Sequence, residues 1–503
     1  MKKFKRHVCT LMVSMLIFST AMTGCTKTSD TTVNSNNTAP SSDTNITKST
    51  AEKKVIVVDG GGDQVNYNST KSMEKTSANP YPYNELELLA KEWMIKHPDV
   101  EIKILPDSVS KQSDALIPLL KSTKAPDIIF QNPGVEKNNN LDKNWFVPLN
   151  SYLDKPNKYV DGNDKWINQF NPVWMSFLKS MDNNYYYIPI DSIPIGLIYN
   201  KELFKKAGID KAPETYTEFM EAQKKLKAIG VIPYLPIDKW YDIFLQGSFM
   251  ANKISQLDVL RKDGIIDTEE IARGFEKNLL SLNMPEFQDY LKVVKEKTMY
   301  YPKGWQTANA YDEFVQGKIG MIEAVGVHMR MIRDDSKRKF DVGTVGFPLV
   351  TTEQSKYVTS NVVRGNAGFS TCWQITNSAV KKDTVDLCVD FLQYLTTAEN
   401  NSRLVNELCA TAPSVIGAEP DELFKPMTTM SEEDMKKGYL DWHACSLFDS
   451  FDGQTYDAYK KNLYPSYILG KLSAEQLATQ GDSVLKKAIE SVKKTANWDT
   501  SKW

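Results

Sequence analysis

Val55-Ile56-Val57-Val58-Asp59-Gly60-Gly61-Gly62-Asp63 opens the folded part of the chain and decides its class. An unbroken β-branched run reads as a strand buried on both faces, as in a parallel sheet, and the glycines after it mark a tight turn. Beyond a loop holding Asn79-Pro80-Tyr81-Pro82-Tyr83, the residues Leu86, Leu89, Ala90 and Trp93 recur at i, i+3, i+4, i+7 and predict an amphipathic helix. His97-Pro98 stops it, and Val100, Ile102 and Ile104 alternate as a second strand. A helix over Asp114 to Ser122 and a third strand in Ala125-Pro126-Asp127-Ile128-Ile129-Phe130 complete a strand–helix–strand–helix–strand unit. That order is doubly wound α/β.

The same grammar returns further on. Thr215-x-x-Glu218 is a capping box ahead of Phe219, Ala222, Leu226 and Ile229, with Gly230 as the stop. Val385, Cys388, Val389, Leu392 and Leu395 form a helical stripe after Asp383-Thr384, and Ser473-x-x-Gln476 caps a last helix. No repeat of solenoid period is visible.

Upstream, Lys2, Lys3, Lys5 and Arg6 precede an apolar stretch from Val8 to Phe18. It is far short of the roughly twenty residues a membrane span needs, so 1–24 is read as a secretion signal. Ala21-Met22-Thr23-Gly24-Cys25 resembles the bacterial lipobox, with Met22 where that pattern usually has Leu. The resemblance implies a lipid on Cys25; an ordinary signal peptide with a nearby cysteine is the alternative. Residues 25–53 are almost entirely Ser, Thr, Asn, Asp and Lys, a composition expected to form a disordered tether.

The remaining body of about 450 residues exceeds what one core supports, so two lobes are expected. Lys plus Arg number 61 against 63 for Asp plus Glu, a net charge of -2 without the basic surplus of a nucleic-acid binder. Six cysteines include no CxxC pair and no zinc-site spacing. Cys388 falls on an apolar helix face and is expected to be a buried thiol, while disulfides among Cys372, Cys388, Cys409 and Cys445 stay unassigned.

Seven fragments, in order, are similar to the extracellular solute-binding proteins that include the maltose-binding protein. They are Pro126-Asp127-Ile128-Ile129-Phe130; Phe146-Val147-Pro148-Leu149; Tyr187-Ile188-Pro189 through Gly196-Leu197-Ile198-Tyr199-Asn200-Lys201-Glu202-Leu203-Phe204; and Phe314-x-x-Gly317-Lys318-Ile319-Gly320-Met321. Val345-Gly346-Phe347-Pro348, then Phe391-Leu392-x-Tyr394-Leu395 with Glu399, and Gly470 to Leu477 complete the series. The resemblance implies a two-lobe periplasmic-binding-protein-like fold of type II, with a hinge of crossing strands and a ligand cleft between lobes. It places one lobe at 54–192 plus 351–412 and the other at 193–350 plus 413–503. It also implies a monomer without cofactor or metal, outside the cytoplasmic membrane, that hands a small molecule of the sugar class to ABC permease subunits.

A sugar needs planar polar groups for its hydroxyls and aromatic rings for its C–H faces. On the resemblance, the candidates in the first lobe are Gly61, Gly62 and Asp63 after the first strand, Gln131 and Asn132 after the third, and Asp191 on the hinge. In the second lobe they are Trp240, Glu323 and His328, the last standing where the family usually carries a Trp. Arg364, Gly365 and Asn366 precede a returning strand from Gly368 to Ile375, and Trp442 and Tyr456 lie in the C-terminal segment. Each has a plainer role open to it, as a tight turn, a structural carboxylate or a core ring.

Two rivals share these features. A surface glycoside hydrolase would need two carboxylates about 5 to 9 Å apart, and no segment singles out such a pair. The body holds no G-x-S-x-G, H-E-x-x-H or Walker loop. A binding protein that reports to a sensor kinase instead of a permease has the same fold and is not separable from sequence.

Overall fold

The computed structural model describes residues 53–503, except 62–64, 78, 110–112, 123, 132–144, 181, 238–239, 261, 263–265, 359–365, 429–446, 449–450, 452 and 497; at 113–115, 131, 173, 254 and 366–367 it describes the backbone alone. Residues 1–52, with the signal, Cys25 and most of the tether, lie outside the described residues.

In chain order the strands are β1 (Lys54–Asp59), β2 (Val100–Ile104), β3 (Ile128–Gln131), β4 (Ile188–Pro189), β5 (Asp191–Asn200) and β6 (Ile232–Leu235). They continue as β7 (Ile319–Val325), β8 (Val342–Val345), β9 (Asn366–Phe369), β10 (Cys372–Ile375) and β11 (Ala412–Pro413).

The first sheet has the order β2-β1-β3-β10-β4 among the described residues. β1 runs parallel to β2 and β3, and β10 is antiparallel to β3 and β4. The apolar run that opened the sequence reading is its centre, and Ile56 and Val58 are fully buried. The helix Glu85–Lys96 lays the expected stripe Leu86, Leu89, Ala90 and Trp93 onto this core.

The second sheet follows β11-β5-β7-β6, with β8 and β9 also bonded to β5. Its alternation sends Leu197, Tyr234 and Met321 into one core, and Ile198, Leu235 and Ile322 into another on the opposite face. Each sheet therefore centres its own α/β lobe. The boxes Thr215/Glu218 and Ser473/Gln476 both close, capping Tyr216–Ala228 and Ala474–Thr495.

Two expectations are corrected. Gly368 to Ile375 is not one strand: β9 pairs with β5 in the second sheet, and β10 with β3 and β4 in the first. The chain changes sheets at Ser370 and Thr371, whose N–H groups donate to Asp191 O at 3.1 Å and Asp191 Oδ1 at 2.7 Å. The boundary expected at 350/351 moves for a related reason. Val350 and Val358 share the second lobe's core, and Ser355 donates to Asp289 at 2.8 Å, so 351–358 stays with that lobe. Cys372, Cys388 and Cys409 are buried free thiols, and Cys445 lies outside the described residues.

Candidate functional site

Three passages between the sheets are described: before β5, between β9 and β10, and ahead of β11 at Thr411. All three meet at Asp191, the first residue of β5, which is fully buried. Its Oδ1 accepts the Thr371 N–H, and its Oδ2 accepts the hydroxyls of Tyr67 at 2.5 Å and Thr411 at 2.9 Å. Burial raises the Asp191 carboxyl to about 6, against the pull of these donors. As described, the side chain is committed to the hinge itself.

Gly61 is buried in the turn after β1, bridged to Asn66, and its N–H donates to Asp59 Oδ1 at 3.1 Å. An added Cβ there would come within 2.5 Å of Ser108, so close packing requires the glycine. Gln131 ends β3 opposite Cys372, and Asn366 opens β9 opposite Pro194. Gly62, Asp63, Asn132, Arg364, Gly365 and Trp442 lie outside the described residues.

In the second lobe, β6 ends at Leu235-Pro236 and the helix Trp240–Met250 begins just beyond it, where α/β folds place ligands. Glu323 sits on β7 opposite Leu197, on the face shared with Met321. Its buried carboxylate accepts the N–H groups of Trp240 at 3.3 Å and Tyr241 at 3.1 Å, and the Tyr234 hydroxyl at 3.2 Å. An acidic acceptor at a helix N-terminus satisfies orphan donors and complements the helix dipole. Glu323 thus aims the helix that carries Trp240, whose half-buried ring packs on the lobe core.

His328 is half-buried in the helix Gly326–Asp334. That helix reaches the first lobe: Val327 packs on its core, and the Arg330 guanidinium lies 4.4 Å from the Tyr81 ring centre. Arg330 also donates to Leu408 O at 2.5 Å.

Tyr456 lines a cavity of about 180 Å³ at the end of β6, with Pro236, Asp242, Gln246, Tyr290, Trp305, Gln306, Tyr459 and Tyr464 among its walls. Rings and hydrogen-bonding groups converge there, as a small polar ring requires. Burial first, and then the charge of Asp242, push the Tyr464 hydroxyl well above its ordinary pKa, so it serves as a neutral donor. A larger groove of about 670 Å³ on the Ala474–Thr495 helix is walled by Asp482, Lys486, Glu490 and Lys494 with no ring, and is poorly suited to sugar stacking.

Sequence reasoning missed most of these walls. Tyr459 follows Tyr456 at i+3 and Asp242 follows Trp240 by two, spacings legible in the sequence. Trp305 carries no local signal.

Two α/β lobes joined by crossing strands, with a cavity of rings and polar groups at a strand end, define a hinged binding protein. The pattern of the bacterial extracellular solute-binding protein family matches residues 78–402, and the chain belongs to that family. It is 28% identical over 183 residues to the sn-glycerol-3-phosphate-binding periplasmic protein UgpB of Brucella abortus (strain 2308), covering 35% of this chain and 38% of that protein. The match thus spans under two fifths of that relative's length. Apo RafE from Streptococcus pneumoniae superposes with a TM-score of 0.60 at 16% identity, covering 87% of this chain and 99% of its own. A cyclo/maltodextrin-binding protein complexed with maltotetraose gives 0.59 at 17% identity, covering 88% and 99%. At these identities the two structures establish the fold, a type II two-lobe binding protein.

Proposed function

We propose that this protein captures a carbohydrate outside the cytoplasmic membrane, held there by a lipid on Cys25, and passes it unaltered to an ABC permease. The observation that carries the sugar reading is the cavity where Trp305, Tyr456, Tyr459 and Tyr464 meet Asp242, Gln246 and Gln306. Rings take the C–H faces of a pyranose, and amides and a carboxylate take its hydroxyls. Family membership supports a binding role, and structural neighbours were solved with raffinose and with maltotetraose. The hinge supports capture by closure, in which the first-lobe candidates Gln131 and Asn132 would add to the contacts offered by the second lobe's cavity. We take the lobes as 54–192 with the chain from β10 to Thr411, and 193–369 with the C-terminal segment.

A second reading follows from the UgpB likeness, in which the solute is a phosphorylated polyol. Calorimetry and thermal shift with galactose, raffinose, maltotetraose, chitin oligosaccharides and sn-glycerol 3-phosphate separate the two, since native-state binding raises stability by mass action. One neutral saccharide should bind near one-to-one and be recovered intact. Binding of the phosphate ester alone would replace the sugar reading, and steady consumption of a saccharide would replace the binding role.

A further inference from the structure

Lys297 closes the helix Pro285–Lys297 and has no exposed surface at all. A lysine in a last helical turn ordinarily reaches solvent, so its burial calls for a partner. Its Nζ lies 2.7 Å from Asp242 Oδ1, and the rings of Tyr234 and Tyr241 stand over it with centres 5.5 and 5.3 Å away. The other carboxylate oxygen of Asp242, Oδ2, accepts the Tyr464 hydroxyl at 3.0 Å. Asp242 is a wall of the cavity; Lys297 is behind it and is not among the described wall residues.

We propose that the Asp242–Lys297 pair is the specificity-determining element of this cavity: it offers a fixed, charge-balanced acceptor to an uncharged hydroxylated ring and turns away an anionic one of similar size. The inference rests on the carbohydrate reading above. Oδ2 of Asp242 is held by the Tyr464 hydroxyl and Oδ1 is buried in ion-pair contact with Lys297, which fixes the carboxylate plane and leaves Oδ2 as the acceptor for a ligand hydroxyl. Gln246 accepts the Leu447 N–H at 3.2 Å through its oxygen, which turns its amide NH2 to donate. A phosphate or uronate entering the cavity meets the carboxylate first. The compensating ammonium is shielded by that carboxylate and by two rings. Lys460, the cation among the described wall residues, is exposed and lies 5.2 Å from the Tyr456 ring centre, where water and salt screen it. Like-charge contact against one ligand class is a recognised source of discrimination.

The test is calorimetry on the whole protein with paired probes: neutral raffinose and maltotetraose, and anionic galacturonic acid, oligogalacturonate and sn-glycerol 3-phosphate. The wild type should favour its neutral ligand over any anionic probe by at least about tenfold. Asp242→Asn leaves Lys297 uncompensated, so neutral binding should weaken about tenfold while the neutral-to-anionic ratio shifts at least about tenfold toward the anion. The charge-free pair Asp242→Asn with Lys297→Met should lose neutral affinity without that anionic gain. Tyr464→Phe, which removes only a hydroxyl, should weaken neutral binding several-fold and serves if the charge variants do not fold. Equal changes for both probe classes in folded Asp242→Asn, or unchanged neutral binding in Tyr464→Phe, would overturn the inference and leave the carbohydrate reading standing. A wild type that binds an anionic probe as tightly as its neutral one would do the same. Failure of every neutral saccharide to bind the wild type would instead remove the reading on which the inference rests.

Discussion

The hydroxyl of Tyr67 donates to Oδ2 of Asp191 across 2.5 Å, joining the turn beyond β1 to the first residue of β5. With Thr371 and Thr411 on the same carboxylate, three passages between the lobes share one buried pin. Bending the hinge must therefore either carry this cluster as a unit or break bonds within it.

The Asp191 carboxyl is raised to about 6, chiefly by burial, with the hydrogen bonds opposing. A raised carboxyl pKa means the folded state holds its proton more tightly than the unfolded chain. The resulting stability is fully present below the unfolded value near pH 4 and is lost as pH rises through about 6. Urea unfolding of wild type and Asp191→Asn between pH 4 and 7.5 should show the wild type losing ground by up to about 3 kcal/mol across that window. A pH-independent difference would show that Asp191 does not titrate there.

Gly326 opens the helix that touches the first lobe, and a methyl at its Cα would collide with the Ala410 carbonyl oxygen. Gly326→Ala should cost about 1–3 kcal/mol, because backbone atoms from two elements would have to separate. Thermal unfolding reads the loss, and small-angle scattering should show a more open average shape. An unchanged melting temperature would mean that the two elements part freely.

Glu323 holds two N–H groups at the start of Trp240–Met250. Glu323→Ala should destabilise by about 1–3 kcal/mol by orphaning buried donors, and should weaken ligand binding by misplacing Trp240 and Asp242. Glu323→Gln keeps an acceptor and should lose less. Equal losses in the two variants would locate the effect in the charge and not in the cap.

Removing a ring from the cavity should cost binding far more than folding. Tyr456→Ala and Trp305→Ala should each lose on the order of 1–3 kcal/mol of affinity, roughly five- to 150-fold, for the saccharide identified by calorimetry. Full affinity in both variants would place the sugar elsewhere in the cleft, and scattering with and without ligand would then report whether the lobes still close.

Anchoring is tested at Cys25. The wild type should partition into membranes with a mature N-terminus at that cysteine, and Cys25→Ser should be secreted, unprocessed or mislocalised. A wholly soluble wild type starting at another residue would favour the ordinary signal peptide.

The parts of the fold legible from sequence are those built by neighbours. Leu86, Leu89, Ala90 and Trp93 declare a buried helix face through spacing alone, and both capping boxes close because their partners are three residues apart. The candidate site was legible only in outline. Trp240 and Tyr456 fall at or near the second lobe's cavity, but Asp191 and Glu323, singled out as polar groups for a ligand, prove occupied by backbone and hydroxyl donors. A residue type announces that it can bond, but not with whom.

By itself, then, the sequence determined the α/β class, the order of strands and helices, and the resemblance that identified the family. Period, cap and turn chemistry act over a few residues and survive without knowledge of the rest. Tertiary structure alone decided where the returning chain changes sheets, which rings share a cavity, and what surrounds each carboxylate. Asp191 finds its donors 124, 180 and 220 residues away, and Lys297 is buried against a carboxylate on another helix. Such partners are chosen by the cost of leaving a buried polar group unmet, a quantity that exists only once the cores have closed around it.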